Sequence, residues 1–293
     1  MTPGRGTQAR TLLAQTRGAL RRAGLRARKG LGQHFLIDEE VLRLIVETAE
    51  LGPGDVVIEV GPGLGVLTRE LAARAGRVIA VELDDRLAAL LREHLAAFPN
   101  VTVVNGDILR IDPADLLREA GASEYRVVAN LPYYITSPVL RHFLEASPRP
   151  TSMVVMVQKE VAETIAARPG DMSLLSVSVQ LYGEPEIVGH VPARCFHPAP
   201  DVDSAVLRIR VHAVPGVAVS DVDAFFGLVR AGFSASRKQM VNSLSQGLGR
   251  PRSEVQALLK EAGIEGRRRA ETLSLEEWAR LWEVFDRMRK EAC

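Results

Sequence analysis

Five short apolar runs, each ending at a glycine, amide or acidic turn, alternate with helix-like stretches through the first half of the chain. The runs are Val56–Val60, Val78–Glu82, Val101–Asn105, Arg126–Ala129 and Ser152–Gln158. Leu64–Ala75, Asp84–Phe98 and a stretch near Ala114–Ala120 carry helical spacing between the first four, and Glu160–Ala167 follows the fifth. Ser137 and Pro138 read as the N-cap and first residue of the helix between the fourth and fifth runs. Such alternation builds βαβ units around a parallel sheet. Upstream, residues 38–50 read as a helix capped by Asp38, with Val41, Leu44, Ile45 and Thr48 at helical spacing. Downstream, Glu186–Val191 and Ala205–Val211 add two strands, for seven in all. Residues 174–182 fit either a strand or a continuing helix.

Ala213–Ser220 (AVPGVAVS) reads as a linker, and helical patterns dominate after it. Ser253 with Gln256 and Ser274 with Glu277 both match a capping box, each opening a helix. The expected organisation is a basic arm over 1–30, an α/β domain over 31–212 and a smaller all-α domain over 213–293. The net charge of +1 hides an asymmetry: residues 1–30 carry +8 with no acid, 31–211 carry −9 and 212–293 carry +2. A basic arm on an acidic body suits a polyanionic partner. An acid-free, Arg-rich N-terminus also fits a transit peptide. Cys195 and Cys293 lie far apart, which excludes a disulfide framework and a cysteine-rich zinc site and fits a reducing compartment. Apolar runs such as Met153–Val157 are too short to span a bilayer. The six histidines show no metal-ligand spacing; His190, Cys195 and His197 cluster in sequence only, and no metal is expected.

The first strand feeds Glu59-Val-Gly-Pro-Gly-Leu-Gly65, with glycines at 61, 63 and 65. Glycine lets a ligand approach the backbone, and the following helix start offers unpaired N–H groups. A nicotinamide fingerprint would place its third glycine at position 66, where this chain has Val66. Glu82 ends the next strand, 21 residues after Gly61, where an acid accepts ribose hydroxyls. The third strand ends in Asn105-Gly106-Asp107, an acceptor for an adenine amine. No lysine on the turn suits a triphosphate. Each part alone is ordinary: a βα turn, a strand-end acid, a helix cap. Their order on three consecutive strand tips fits S-adenosyl-L-methionine, and so a Rossmann-like, seven-stranded methyltransferase domain of class I.

The fourth tip carries Asn130-Leu131-Pro132-Tyr133, followed by Tyr134. An exocyclic amine shares its lone pair with the ring and is a poor nucleophile. The Asn130 side-chain oxygen and the Leu131 carbonyl can accept its two N–H groups, Pro132 stiffens the turn, and Tyr133 can stack on the base. A turn with a packed tyrosine is the plain alternative.

These stretches, with Lys29–Asp38 (KGLGQHFLID), Val157–Val161 and Phe196–Ile209 (FHPAPDVDSAVLRI), resemble the ribosomal RNA adenine N6-dimethyltransferase family, in its bacterial small-subunit branch. The resemblance covers about residues 28–290. It implies transfer of two methyls to each of two adjacent adenosines in the 3′-terminal hairpin of 16S rRNA, on the small (30S) subunit precursor, during ribosome biogenesis. It places donor contacts at His34, Leu36, Gly61, Gly63, Glu82, Asp107 and Asn130. The family usually has Asn where His34 sits, which bears on pH dependence. Phe196 belongs to a family loop that packs on the flipped base; a core aromatic is the other reading. Arg28, Lys29, Arg237 and Lys238 are expected phosphate contacts, and the run Arg267–Arg269 is either a further contact or a solvated face. A cytoplasmic monomer with no membrane attachment is expected. Two alternatives stay open: the related large-subunit, resistance-type methyltransferase, and an assembly-checkpoint RNA-binding factor whose occupancy matters more than its catalysis.

Overall fold

The structure is a computed structural model that describes residues 11–24, 28, 32–235 and 237–291. Nine strands are assigned among them: β1 Phe35–Leu36, β2 Val56–Val60, β3 Arg77–Glu82, β4 Val101–Asn105, β5 Arg126–Asn130, β6 Ser152–Gln158, β7 Gly183–Val191, β8 Phe196–His197 and β9 Ser204–Val211. The helices are α1 Leu12–Arg22, α2 Glu39–Thr48, α3 Val66–Ala72, α4 Asp85–His94, α5 Pro113–Ala120 and α6 Thr136–Leu144. They continue as α7 Lys159–Ile165, α8 Leu174–Gln180, α9 Val222–Phe233, α10 Met240–Leu248, α11 Arg252–Glu261 and α12 Leu275–Glu291.

Seven strands form one sheet in the order β4-β3-β2-β5-β6-β9-β7, and β1 pairs with β8 in a two-stranded ladder. The pairs β3–β4, β2–β3, β2–β5 and β5–β6 are all parallel. Order reverses at β2, so the carboxyl ends of β2 and β5 flank a crevice, where ligands of open α/β sheets bind. The chain clusters into two compact units. One holds residues 1–159 and 187–208, the other 160–186 and 209–293. The second unit therefore takes in α7 and α8 as well as the C-terminal helices.

In the first unit, α2 and α3 bury Ile45, Val46, Leu67 and Leu71 against Val57, Val78, Val128 and Val154 of the sheet. Opposed apolar faces of this kind are the main stabilising contribution, at about 1.5–3 kcal/mol per fully buried aliphatic side chain. Asp38 caps α2 through the Glu40 and Val41 amides. The buried face of α2 is Leu42, Ile45, Val46 and Thr48, so Val41 and Leu44 flank it rather than form it. In the second unit Trp278, Trp282, Phe225 and Leu244 are fully buried, and Phe225 meets Trp282 edge-on at 6.2 Å.

Two local expectations need correction, and one left open is decided. α6 begins at Thr136, so Ser137 and Pro138 sit in its first turn instead of at the cap. Pro251 precedes α11 and no side chain caps it, so Ser253 lies inside the helix. Pro's fixed φ starts the turn without a side-chain acceptor. Residues 174–180 are helical, opened by Ser173, whose hydroxyl accepts from the Ser176 amide. By contrast, Ser274 and Glu277 do bond reciprocally, at 2.9 and 3.3 Å.

Candidate active site

The carboxyl ends of β2, β3, β4 and β5 open on one cavity of about 350 Å³, within the range of small-molecule sites (about 300–1,000 Å³). Its wall after β2 is the glycine turn. Gly63 has φ 58° and Gly65 φ 77°. A Cβ on Gly65 would lie 2.7 Å from Leu91 Cδ1, and one on Gly63 would lie 3.1 Å from the Phe35 ring. Only glycine accommodates both the left-handed backbone and the close approach.

The Gly63 amide donates to Glu82 Oε2 at 3.1 Å, and the Asp84 amide donates to Oε1 at 2.9 Å. Both oxygens retain acceptor capacity for a vicinal diol. Burial raises the Glu82 pKa, and the two amide bonds oppose that rise. At the next tip, Gly106 N and Asn105 Nδ2 both donate to the Glu82 carbonyl at 3.0 Å, which locks β4 to β3 beside the cavity. Asp107 caps a short 3₁₀ turn through Leu109 N at 3.0 Å and also lines the cavity. The ordinary cap and the ligand acceptor thus coincide in one carboxylate.

Asn130 ends β5. Its Nδ2 donates to the His34 carbonyl at 3.1 Å. With the amide nitrogen so held, Oδ1 is the face left to accept a hydrogen bond. Leu131 is buried and its amide donates to Met156 O at 3.1 Å, which ties the Asn-Leu-Pro-Tyr turn to β6. Tyr133 shares a 2.6 Å hydrogen bond with the buried Ser204 hydroxyl. Its ring stacks on His34, centroids 5.9 Å apart and planes 20° apart. Burial raises the Tyr133 pKa, opposed by the Ser204 bond. His34 Nδ1 donates to Pro198 O at 2.8 Å, which leaves Nε2 as the free ring nitrogen.

Leu36 lines the cavity and pairs with Phe196 across β1 and β8. The Phe196 ring itself is 3% exposed and packs among Leu36, Val191 and Val206. Of the two sequence readings, this arrangement is the core aromatic: the ring lies in the cluster between the sheet and α2 and α3 and is not among the residues that line the cavity. Arg28 is not a free phosphate contact either; its guanidinium lies 3.2 Å from Asp84 at the start of α4. Lys29 lies outside the described residues. Arg237 is exposed and Lys238 bonds Gln246 at 3.1 Å.

Two contributors escaped sequence reasoning. Glu59 is 1% exposed, lines the cavity, and has no partner for Oε2 among the described residues. Burial pushes its pKa up to about 8, and the Glu82 carboxylate nearby adds to the shift. Its signal was a lone charge inside the apolar strand VVIEV. The second is α1. Ala19 and Leu20 pack with Phe35, Leu64 and Leu87, three side chains that line the cavity.

The donor set suits S-adenosyl-L-methionine: a carboxylate pair for ribose and adenine, a glycine turn, and the buried carboxyl of Glu59, whose Oε2 has no partner among the described residues. The family model for ribosomal RNA adenine dimethylase matches residues 24–287. A ribosomal RNA small subunit methyltransferase A from Dehalococcoides mccartyi is 54% identical over 279 residues, covering 94% of each chain. One of that description from Moorella thermoacetica is 48% identical, covering 90% of this chain and 94% of the relative. Among solved structures, the 23S rRNA methyltransferase ErmE is 37% identical with a TM-score of 0.69, covering 86% of this chain and 99% of that one. A Plasmodium falciparum dimethyladenosine transferase shares the fold at a TM-score of 0.73 and 23% identity, covering 87% of this chain and 98% of that one.

Proposed function

The chain belongs to the ribosomal RNA adenine dimethylase family, and from that premise we propose that it dimethylates N6 of two adjacent adenosines in the 3′-terminal hairpin of 16S rRNA. It is an S-adenosyl-L-methionine-dependent rRNA adenine dimethyltransferase. Glu82 and Asp107 hold the ribose and adenine of the cofactor, and Gly61–Gly65, Leu36 and the backbone at His34 hold the rest. When bound, the cofactor supplies an electrophilic methyl group.

The single observation that supports the adenine chemistry best is the amide of Asn130, anchored by its nitrogen on the His34 carbonyl, which leaves the oxygen as its acceptor end. Oδ1 accepts one N–H of the substrate amine, and the Leu131 carbonyl accepts the other. That pair turns the nitrogen lone pair out of conjugation and toward the cavity. The Tyr133 ring, held by Ser204 and backed by His34, provides a plane for the base. The residues supply alignment, worth about 7–11 kcal/mol in favourable cases. A strong base is not required, because the methylated ammonium loses its proton to water readily. Extrusion of the adenine from its stack is needed to reach such a pocket.

The substrate is the small-subunit particle, the protein acts as a cytoplasmic monomer, and the division into an arm, a methyltransferase domain over 31–212 and a helical domain over 213–293 is part of the same proposal. No described helix is long and apolar enough to cross a membrane. The 37% identity to a 23S rRNA methyltransferase favours one competing reading, the large subunit as substrate. Incubation with labelled donor and each unmethylated subunit separates the two: label enters the small subunit on our reading and the large subunit on the other.

A further inference from the structure

Glu59 is the one ionisable residue of β2, and Val57, Ile58 and Val60 are buried with it. A residue that served only the sheet would be apolar there, because an unpartnered buried carboxyl costs free energy in either form. Side chains alternate along a strand, so Glu59 shares a face with Val57, which packs against α2 and α3. Thr68 of α3 is fully buried beside it. Neither Glu59 Oε2 nor Thr68 Oγ1 has a hydrogen-bond partner among the described residues. The charged residues of the two helices do not neutralise Glu59. Glu39, Glu40, Arg43 and Glu47 of α2 are exposed, Glu70 of α3 pairs with Arg74, and Arg69 stands near His94.

The cavity wall itself is one-sided in charge. Glu59, Glu82 and Asp107 line it with His34, Tyr133 and Tyr134, and none of the described lining residues is lysine or arginine. His34 Nδ1 is committed to Pro198 O, and the Tyr133 hydroxyl to Ser204. Burial holds the proton on Glu59, the Thr68 hydroxyl offsets part of that, and the Glu82 carboxylate adds to it. A ligand that suits three carboxyls and no fixed cation brings positive charge of its own. S-adenosyl-L-methionine does so, with a sulfonium and an ammonium against one carboxylate. Its demethylated by-product is a neutral thioether with one positive charge fewer. An opposite charge brought close favours the ionised form of a carboxyl.

We propose that Glu59 discriminates donor from by-product by its proton: the carboxyl is neutral in the empty cavity, ionises when the sulfonium donor enters, and takes the proton back under the by-product. The inference rests on the cofactor assigned to this cavity. On donor binding the O–H bond of Glu59 breaks, its electron pair stays on the carboxylate and the proton passes to solvent. Each methyl transfer removes the sulfonium charge, so the ionised carboxyl loses its partner as the by-product forms. Reprotonation then weakens the hold on the by-product and readies the cavity for the next donor. Because donor binding expels a proton, donor affinity rises with pH while free Glu59 is protonated, which is below about pH 8.

The test is calorimetry of the full-length chain at about pH 7 in two buffers of different ionisation enthalpy, which counts the protons released on binding. S-adenosyl-L-methionine should release close to one proton more from the parent than from Glu59→Gln, and the by-product clearly less. Relative to the variant, which cancels the titration of His34 and of the ligand's own amine, donor affinity should rise by up to about tenfold per pH unit between about pH 6 and 8 and then level off. Infrared difference spectra of the parent should lose a protonated carboxyl band when donor binds and keep it with by-product. Equal proton counts for parent and variant overturn the proposal, and so does a carboxyl band that survives donor binding; the band decides even where Glu59→Gln fails to fold. Equal release by donor and by-product overturns the discrimination. A parent that binds donor without releasing a proton keeps its cofactor and loses only this inference, whereas a parent that binds no donor loses both.

Discussion

Asn130 Nδ2 sits 3.1 Å from the backbone oxygen of His34 and donates to it. That bond sets which end of the amide faces the cavity. Asn130→Asp keeps an acceptor but loses the donor, and sets a carboxylate against a carbonyl. Both Asn130→Asp and Asn130→Ala should therefore lower methyl transfer, each by about 100-fold or more, the scale expected for a misplaced reacting group. Single-turnover transfer to unmethylated small subunits measures this. Near-parental rates in either variant would contradict the alignment role.

Tyr133 and Ser204 share one hydrogen bond of 2.6 Å. Tyr133→Phe keeps the ring and leaves the buried Ser204 hydroxyl unpaired; Ser204→Ala does the reverse. Each should cost about 1–3 kcal/mol of stability, while the double variant should cost less than the sum. Urea unfolding of the four proteins gives the cycle.

Much of this site was legible because strand tips follow from periodicity. Once β2 to β5 are placed, Glu82, Asp107 and Asn130 must sit at neighbouring ends of a parallel sheet. The capping pair Ser274 and Glu277 was equally local. What stayed hidden depends on partners distant in sequence. Arg28 pairs with Asp84, 56 positions away, and Phe196 is buried where β8 meets β1, about 160 positions upstream. The arginines of residues 1–30 masked the short buried face of Thr16, Ala19 and Leu20 on α1. β9 lies between β6 and β7, an order that no local pattern encodes.

Glu59 is buried with a pKa near 8, far above that of an unfolded glutamate (about 4.3). The folded state holds this proton after the unfolded state has released it. Stability from Glu59 is therefore fully present below about pH 4.3 and is lost as pH rises toward about 8, at up to ~1.4 kcal/mol per pH unit. Glu59→Gln removes that slope. Thermal or urea unfolding of cofactor-free protein from pH 5 to 8 should show a flatter profile for the variant than for the parent. Parallel profiles would mean that Glu59 is ionised in the fold.

Leu20 of α1 is 9% exposed and packs on side chains that wall the cavity. Leu20→Ala should loosen this wall and weaken cofactor binding by about tenfold, ~1.4 kcal/mol. The rest of the unit should stay folded. Calorimetry with the demethylated by-product, paired with hydrogen exchange over residues 12–22, checks both halves. Parental affinity with α1 exchanging freely would remove α1 from the site.

The most direct measurement is a map of the nucleotides modified when this protein, S-adenosyl-L-methionine and unmethylated small subunits are combined. Dimethyladenosine at two adjacent positions of the 3′-terminal hairpin is the expected product. Modification elsewhere, or no transfer by protein shown to bind the cofactor and the particle, would contradict the account.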